Sequence, residues 1–305
     1  MKRVGRRAAP WRVYLALVVA SLLWGSLYSA AKPAVAVTGP IQVTRCRVVL
    51  AFACLGVFTI MRGGPRLLLD QLRDHWRGII VLGLVNFTGS QILALYALAF
   101  LPASINGVLN NTHPLWVAIG TALFYPRRHP GLLVGGSVVA LGGVALVFLP
   151  DLAFGTGLNP LGVALALAGS GVIALGTVIG RHIMPRSDPL AVSALASGAA
   201  ILPMSALTLA SGGVEPILAA AATIKVLLVY VGIGCTAINF ALWYYGLKYL
   251  PAAAASAFQY LIPPIGVALA AIFLHEPVSA TLLLGTVCVL VGLATTQLAS
   301  TESAR

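Results

Sequence analysis

The sequence predicts an all-α membrane protein with ten transmembrane helices in two inverted five-helix repeats. Three observations carry this reading. Only 9% of the 305 residues are charged and 59% are hydrophobic, whereas a soluble domain carries about 25% charged residues. Ten apolar segments follow one another, most near the roughly 20 residues that a helix needs to cross a bilayer. The second half repeats the first at a constant shift of 149 residues. A soluble enzyme lacks the polar surface for such a composition, and a disordered chain is poor in apolar residues, so both classes are excluded.

The segments run near 11–31, 41–61, 78–98, 102–125, 131–150, 160–180, 189–210, 224–247, 252–274 and 279–299. Proline, glycine or charge punctuates each boundary, as at helix ends: Lys32-Pro33, Arg62-Gly63-Gly64-Pro65, Leu101-Pro102, Pro126-Arg127-Arg128, Pro150-Asp151, Pro185-Arg186, Gly212-Gly213, Leu250-Pro251 and His275-Glu276-Pro277. The one long connection, from Arg66 to Arg77, reads as an amphipathic helix on the membrane surface. Cys46, Cys54, Cys235 and Cys288 lie inside apolar runs without C-x-x-C spacing and read as packing residues.

Basic residues fix the expected orientation, because cytoplasmic loops are enriched in Lys and Arg. With the N-terminus inside, 15 of the 19 basic residues are cytoplasmic. Lys32 and Lys225 are external, and Arg45 and Arg47 lie within the second helix. A multi-pass protein of the plasma membrane with both termini cytoplasmic follows. The net charge of +12 is then a topogenic signal and calls for no nucleic-acid partner.

The repeat is clearest where "YALAFLPAS" at 96–104 returns as "YGLKYLPAA" at 245–253. The same shift carries Pro40 onto Pro189, Gly83 onto Gly232, Pro114 onto Pro263 and Gly143 onto Gly292. Five helices are an odd number, so the second copy enters the membrane in the opposite sense. Inverted repeats are an architecture of secondary transporters, with the substrate site near the midplane between them.

These features resemble the drug/metabolite transporter superfamily, specifically its EamA family. The resemblance runs from about Trp11 to Ala299 and rests on Trp24-Gly25-Ser26, on Arg47 four residues before Ala51, and on "ALAFLPAS" and "GLKYLPAA". Pro114, Pro263 and "FLHEP" at 273–277 complete it. It implies two EamA-like repeats, at 11–150 and 160–299, and the export of small metabolites, amino acids being a well-known case. The family pattern places a glutamate near position 127, where this chain has Arg127.

Polar groups inside lipid are costly and should face the protein interior or a cavity. In helix four Asn106, Asn110 and His113 form one stripe at i, i+4 and i+7, with Asn111 beside it. Thr236, Asn239 and Trp243 line up on helix eight, and Asn86 and Ser90 on helix three, next to Gln91. The shift of 149 pairs Asn110 with Gln259, Asn111 with Tyr260 and Ser90 with Asn239. Asn110 and Gln259 would each lie roughly 12 Å inside their helix starts, from opposite faces. The candidate cavity residues are therefore Trp24, Arg47, Asn86, Asn110, Asn111, His113, Asn239, Trp243, Gln259 and Tyr260. The competing reading for each is a hydrogen bond between helices with no ligand. Arg45 and Arg47 can each snorkel outwards, the favoured reading for Arg45, while Arg47, which carries the family match, could equally bind a substrate carboxylate or close an external gate. Pro114 and Pro263 are candidate hinges beside the site. The glycine-rich faces of helices five and ten offer packing or homodimer surfaces.

All seven acidic residues fall in loops, tails or helix ends, and the sequence has no phosphate loop. No catalytic constellation, metal ligand set or cofactor is expected. His113 is the one titratable group near the midplane, and a neutral ring bonded to Asn106 or Asn110 is the simpler expectation. The expected partners are a small-molecule substrate and the lipid bilayer. The alternatives are a transporter of drugs or other organic solutes and, remotely, a membrane-embedded enzyme.

Overall fold

A computed structural model describes residues 10–113, 115–116, 130–154, 158–184, 187–250, 255 and 257–302. All regular structure among them is helical. Helix α1 (Trp11–Thr38) runs straight through Lys32-Pro33, where the sequence suggested a break. Pro33 removes only one internal hydrogen bond. The ammonium of Lys32 donates to the carbonyls of Leu98, at 2.7 Å, and Leu101. The turn instead falls at Gly39, whose φ of 87° favours glycine, and Pro40 opens the next helix.

Helix α2 (Pro40–Leu82) is broken at Gly64 (φ 69°, ψ 173°) and at His75 (φ −135°, ψ 17°). At these breaks the chain folds back, so that Val48 shares one core with Ile79, Leu82 and Phe87. The stretch between them carries Leu69 and Leu72 exposed beside its charges, as an interfacial helix does. A π-helical segment (Gly83–Gly89) and α3 (Ser90–Phe100) complete the third crossing. Helix α4 (Ala103–Asn110) turns at Asn111 and Thr112. Helix α5 (Pro130–Phe154) continues through Pro150-Asp151, a second expected break. Helices α6 (Pro160–Ile183) and α7 (Pro189–Ala210) are N-capped by Asn159 and Asp188, whose side chains accept from backbone amides. A short helix (Glu215–Ala219) precedes α8 (Ala222–Tyr249), which contains a second π segment (Tyr230–Ile238). A 3₁₀ turn (Ala257–Leu261) leads into α9 (Ile262–Leu274), and α10 (Ala280–Glu302) follows.

The structure repeats with the same period as the sequence. Trp11 and Pro160, and Pro40 and Pro189, open helices 149 residues apart, Ser90 and Asn239 each follow a π segment, and the first π segment falls within the second under that shift. Packing is paired in the same way. Helices α2 and α7, α4 and α9, and α5 and α10 pack on their own counterparts, and the contact of α3 with α6 is mirrored by that of α8 with α1. The closest pairing is glycine on glycine. A Cβ on Gly292 would lie 2.4 Å from the nitrogen of Ala140 and 2.5 Å from the oxygen of Gly136. A Cβ on Gly143 would lie 2.6 Å from the oxygen of Gly285. These glycine faces are therefore used within the chain, between α5 and α10.

Five helices are long and apolar enough to cross a membrane: Trp11–Thr38, Pro40–Phe100, Pro160–Gly180, Pro189–Ala210 and Ala222–Tyr249. The second of these, folded at Gly64 and His75, supplies two crossings. The shorter apolar helices Val134–Val147, Phe258–Leu274 and Ala280–Thr295 and the described start of α4 make ten. The protein is an all-α membrane protein of two inverted five-helix repeats.

Candidate functional site

Between the repeats lies a cavity walled by α1, α3, α4, α6, α8 and α9. The lining obeys the pseudo-two-fold. Both members of six repeat-equivalent pairs line the cavity: Trp24 and Ile173, Tyr28 and Thr177, Gln91 and Phe240, Ala94 and Trp243, Asn110 and Gln259, and His113 and Ile262. The chemistry of each pair differs. Trp24 and Tyr28 of α1 join Phe240 and Trp243 of α8 in one aromatic wall, with the Trp24 ring 5.6 Å from Phe240 and 5.5 Å from Trp243. Asn86, Ser90 and Gln91 make a polar wall on α3, and Asn110, Asn111, His113 and Gln259 close the space between α4 and α9.

The π segments shape these walls. A π turn shifts the helical bonds to i→i+5 and is often found at functional sites. Ser90 Oγ (2.7 Å) and Gln91 Nε2 (3.2 Å) donate to the carbonyl oxygen of Asn86. Asn86 Nδ2 donates to the Tyr244 hydroxyl at 3.3 Å, and its Oδ1 rests against Gly176, where a Cβ would lie only 1.8 Å away. On α4, Asn106 Nδ2 donates to the Ala94 carbonyl (3.1 Å) and Asn110 Nδ2 to Asn106 Oδ1 (2.8 Å). His113 Nε2 lies 2.9 Å from Gln259 Oε1 and ties α4 to α9. The amide oxygens of Asn86 and Asn110 are buried without a hydrogen-bond partner. The cavity thus offers an aromatic face and a set of amide side chains.

Of the ten residues singled out in the sequence, Trp24, Asn86, Asn110, Asn111, His113, Trp243 and Gln259 line this cavity. The structure places the other three elsewhere. Asn239 is fully buried, and its Nδ2 donates to the Ala20 carbonyl at 2.9 Å, a link between α8 and α1. Tyr260 packs against the α5–α10 core with its hydroxyl buried and unpaired. Arg47 is 1% exposed, and its Nε donates to Thr236 Oγ1 at 2.9 Å. Arg45 does not simply extend outwards; its Nε points to Ser205 Oγ at 3.5 Å. Pro263 sits in the first turn of α9, where a missing N–H costs little, and not in mid-helix. Pro114, Arg127 and Arg128 lie outside the described residues.

Sequence polarity gave no signal for Leu27, Ala94, Ile173, Phe240 or Ile262, which also line the cavity. The repeat shift applied to Trp24 and Tyr28 points to Ile173 and Thr177, so period, and not residue type, was the usable signal.

One end of the bundle is fastened across both repeats. The carboxylate of Glu276 caps α4, accepting from Ala103 N (2.6 Å), Ser104 N (3.0 Å) and Ser104 Oγ (2.6 Å). Lys32 of α1 holds the carbonyls at the end of α3 beside it. In the sequence, the repeat equivalents of Glu276 and Lys32 are Arg127 and Arg181.

Comparison with known proteins agrees with the architecture. The model of the EamA-like transporter family matches residues 11–149 and again 160–297. An uncharacterized transporter of Archaeoglobus fulgidus is 23% identical over 284 residues, which cover 92% of this chain and 96% of that protein. The transporter YvbV of Bacillus subtilis is 25% identical, over 90% of this chain and 88% of its own length. A probable terminal-alkyne amino-acid exporter of Streptantibioticus cattleyicolor is 25% identical, over 86% and 85%. A solved crystal structure shares the fold, with a TM-score of 0.66 at 21% identity over 96% of this chain and 99% of that one. With both halves matched and the two-repeat packing in place, the chain belongs to the EamA-like transporter family.

Proposed function

We propose that the protein exports small organic metabolites, amino acids among them, across the cell membrane by alternating access, with both termini cytoplasmic. The observation that carries this reading is the cavity at the repeat interface. Its aromatic wall suits an apolar side chain, and the amides around it suit the polar groups of a small organic solute. Among the described residues its lining includes no carboxylate, which disfavours cationic drugs as the main cargo. One relative is named a probable terminal-alkyne amino-acid exporter, in line with this reading. The bias of basic residues supports the orientation.

Access alternates when the repeats rock about the fixed site. The Glu276 cap and the Lys32 contacts must part for the cavity to open at their end, which is external in this orientation.

The test is efflux of labelled amino acids from cells producing the wild type, Trp24→Ala, Asn110→Ala or Gln259→Ala at matched membrane levels. Loss of at least tenfold in each variant is expected. Unimpaired efflux in all three would place the site elsewhere.

A further inference from the structure

Arg47 is a fully buried guanidinium in the middle of a membrane protein, and both terminal amino groups lack a partner. A buried charge left uncompensated is strongly destabilising. No acidic residue lies beside it; the one salt bridge among the described residues joins Arg62 to Asp188 at the bundle end. Its geometry is nevertheless prepared. Thr236 donates its own proton to the Val231 carbonyl (2.8 Å). The Thr236 oxygen is thereby turned to accept from Arg47 Nε. The guanidinium is held at Nε, and its two terminal amino groups are buried without a partner, the pair of donors that grips a carboxylate through two parallel bonds.

The pseudo-two-fold supplies an internal control. The equivalents of Arg47 and Thr236 are Ala196 and Phe87, both fully buried in one apolar core. The fold therefore closes the same helix contact without any polar group, so packing does not require Arg47.

The location is close to the cavity. Tyr28, which lines the cavity, packs in one cluster with Val43, one turn before Arg47 on α2, and with Cys235, next to Thr236. Tyr28 thus links the cavity lining to the cluster that flanks Arg47.

We infer that Arg47 is the anion-recognition element of the transport site: its free amino groups receive the carboxylate of an organic solute in the cavity, with Tyr28 as the residue that gives way. This rests on the transporter reading above and narrows it to solutes bearing a carboxylate. Solutes with an aromatic or apolar body and a carboxylate are bound, and their neutral amides are discriminated against.

The experiment is thermal unfolding of the purified full-length protein in detergent, titrated with 3-phenylpropanoate, 3-phenylpropanamide or chloride. The carboxylate should raise the wild-type midpoint with a half-saturating concentration at least tenfold below that of the amide, and chloride should have no comparable effect. Arg47→Met should abolish the response while leaving the unliganded midpoint unchanged or higher, because an uncompensated buried charge has been removed. Arg47→Lys should weaken the response by tenfold or more. Should Arg47→Met fail to fold, Thr236→Val, which releases Nε but keeps the charge, should still weaken it severalfold. No wild-type response, an equal response to the amide, a response that survives Arg47→Met, or a response to chloride as large as to the carboxylate would each overturn the inference. Wild-type amino-acid efflux that Arg47→Met leaves intact would sink this inference alone. Absence of efflux of every amino acid from the wild type would sink the transporter reading, whatever the binding result.

Discussion

Removing the Glu276 carboxylate should unfasten one end of the transporter. In the structure that carboxylate accepts three hydrogen bonds of 2.6–3.0 Å from Ala103 and Ser104. Hydrogen bonds to a charged group contribute about 1.5–3 kcal/mol each, and losing a helix N-cap alone costs about 0.5–2 kcal/mol. The site is partly exposed, so water replaces some of these bonds in Glu276→Ala, leaving a net loss of about 2–3 kcal/mol. At about 1.4 kcal/mol per tenfold change, the population open at this end should rise about 30- to 150-fold. The assay places a cysteine at Ala94, on the cavity wall, in a variant lacking the four native cysteines, and times its reaction with a membrane-impermeant maleimide added outside. The reaction should speed up by that factor in Glu276→Ala and by less in Glu276→Gln, whose amide oxygen still accepts. A rate within threefold of the parent would refute the latch.

Two further outcomes follow from packing and charge. Gly292→Ala forces a methyl onto backbone atoms of α5 and should destabilise by about 1–3 kcal/mol, whereas Gly142→Ala, which meets nothing within 4 Å, should not; their thermal midpoints in detergent decide this. Cysteines at Lys32 and Lys225 should react with impermeant reagents from outside and cysteines at Arg128 and Arg186 should not; the opposite pattern would overturn the orientation.

Most of the fold was legible because lipid imposes a simple rule: long apolar segments with satisfied backbones. The period of 149 was legible too, and it organised both the helix pairing and the cavity. Boundaries were less so. Pro33 and Pro150-Asp151 looked like stops, but a proline near a helix end removes one hydrogen bond, and Lys32 found carbonyls to hold. For the cavity, amides and tryptophans were visible as costly or bulky groups in lipid, yet such groups also bond helix to helix. Asn239 does this with Ala20, and only three-dimensional placement separates it from Asn110. Ile173 and Ala94 carry no chemical mark at all and enter the lining through position alone. The π segments were invisible in the sequence, because nothing in "GLVNFTG" or "YVGIGCTAI" distinguishes them from ordinary α-helix.

Solute movement through the central cavity is tested most directly with purified protein in liposomes loaded on one side with a labelled aromatic amino acid, at equal pH inside and out. His113 is the one titratable side chain between α4 and α9 in the cavity lining, and its Nε2 is engaged by Gln259 at 2.9 Å. Net flux down the solute gradient is therefore expected with no accompanying proton movement, and Gln259→Ala should abolish it. Absence of flux from the wild type would contradict transport through this cavity. Uphill accumulation driven by an imposed pH gradient, and lost in His113→Ala, would contradict gradient-driven rocking and make His113 the coupling residue.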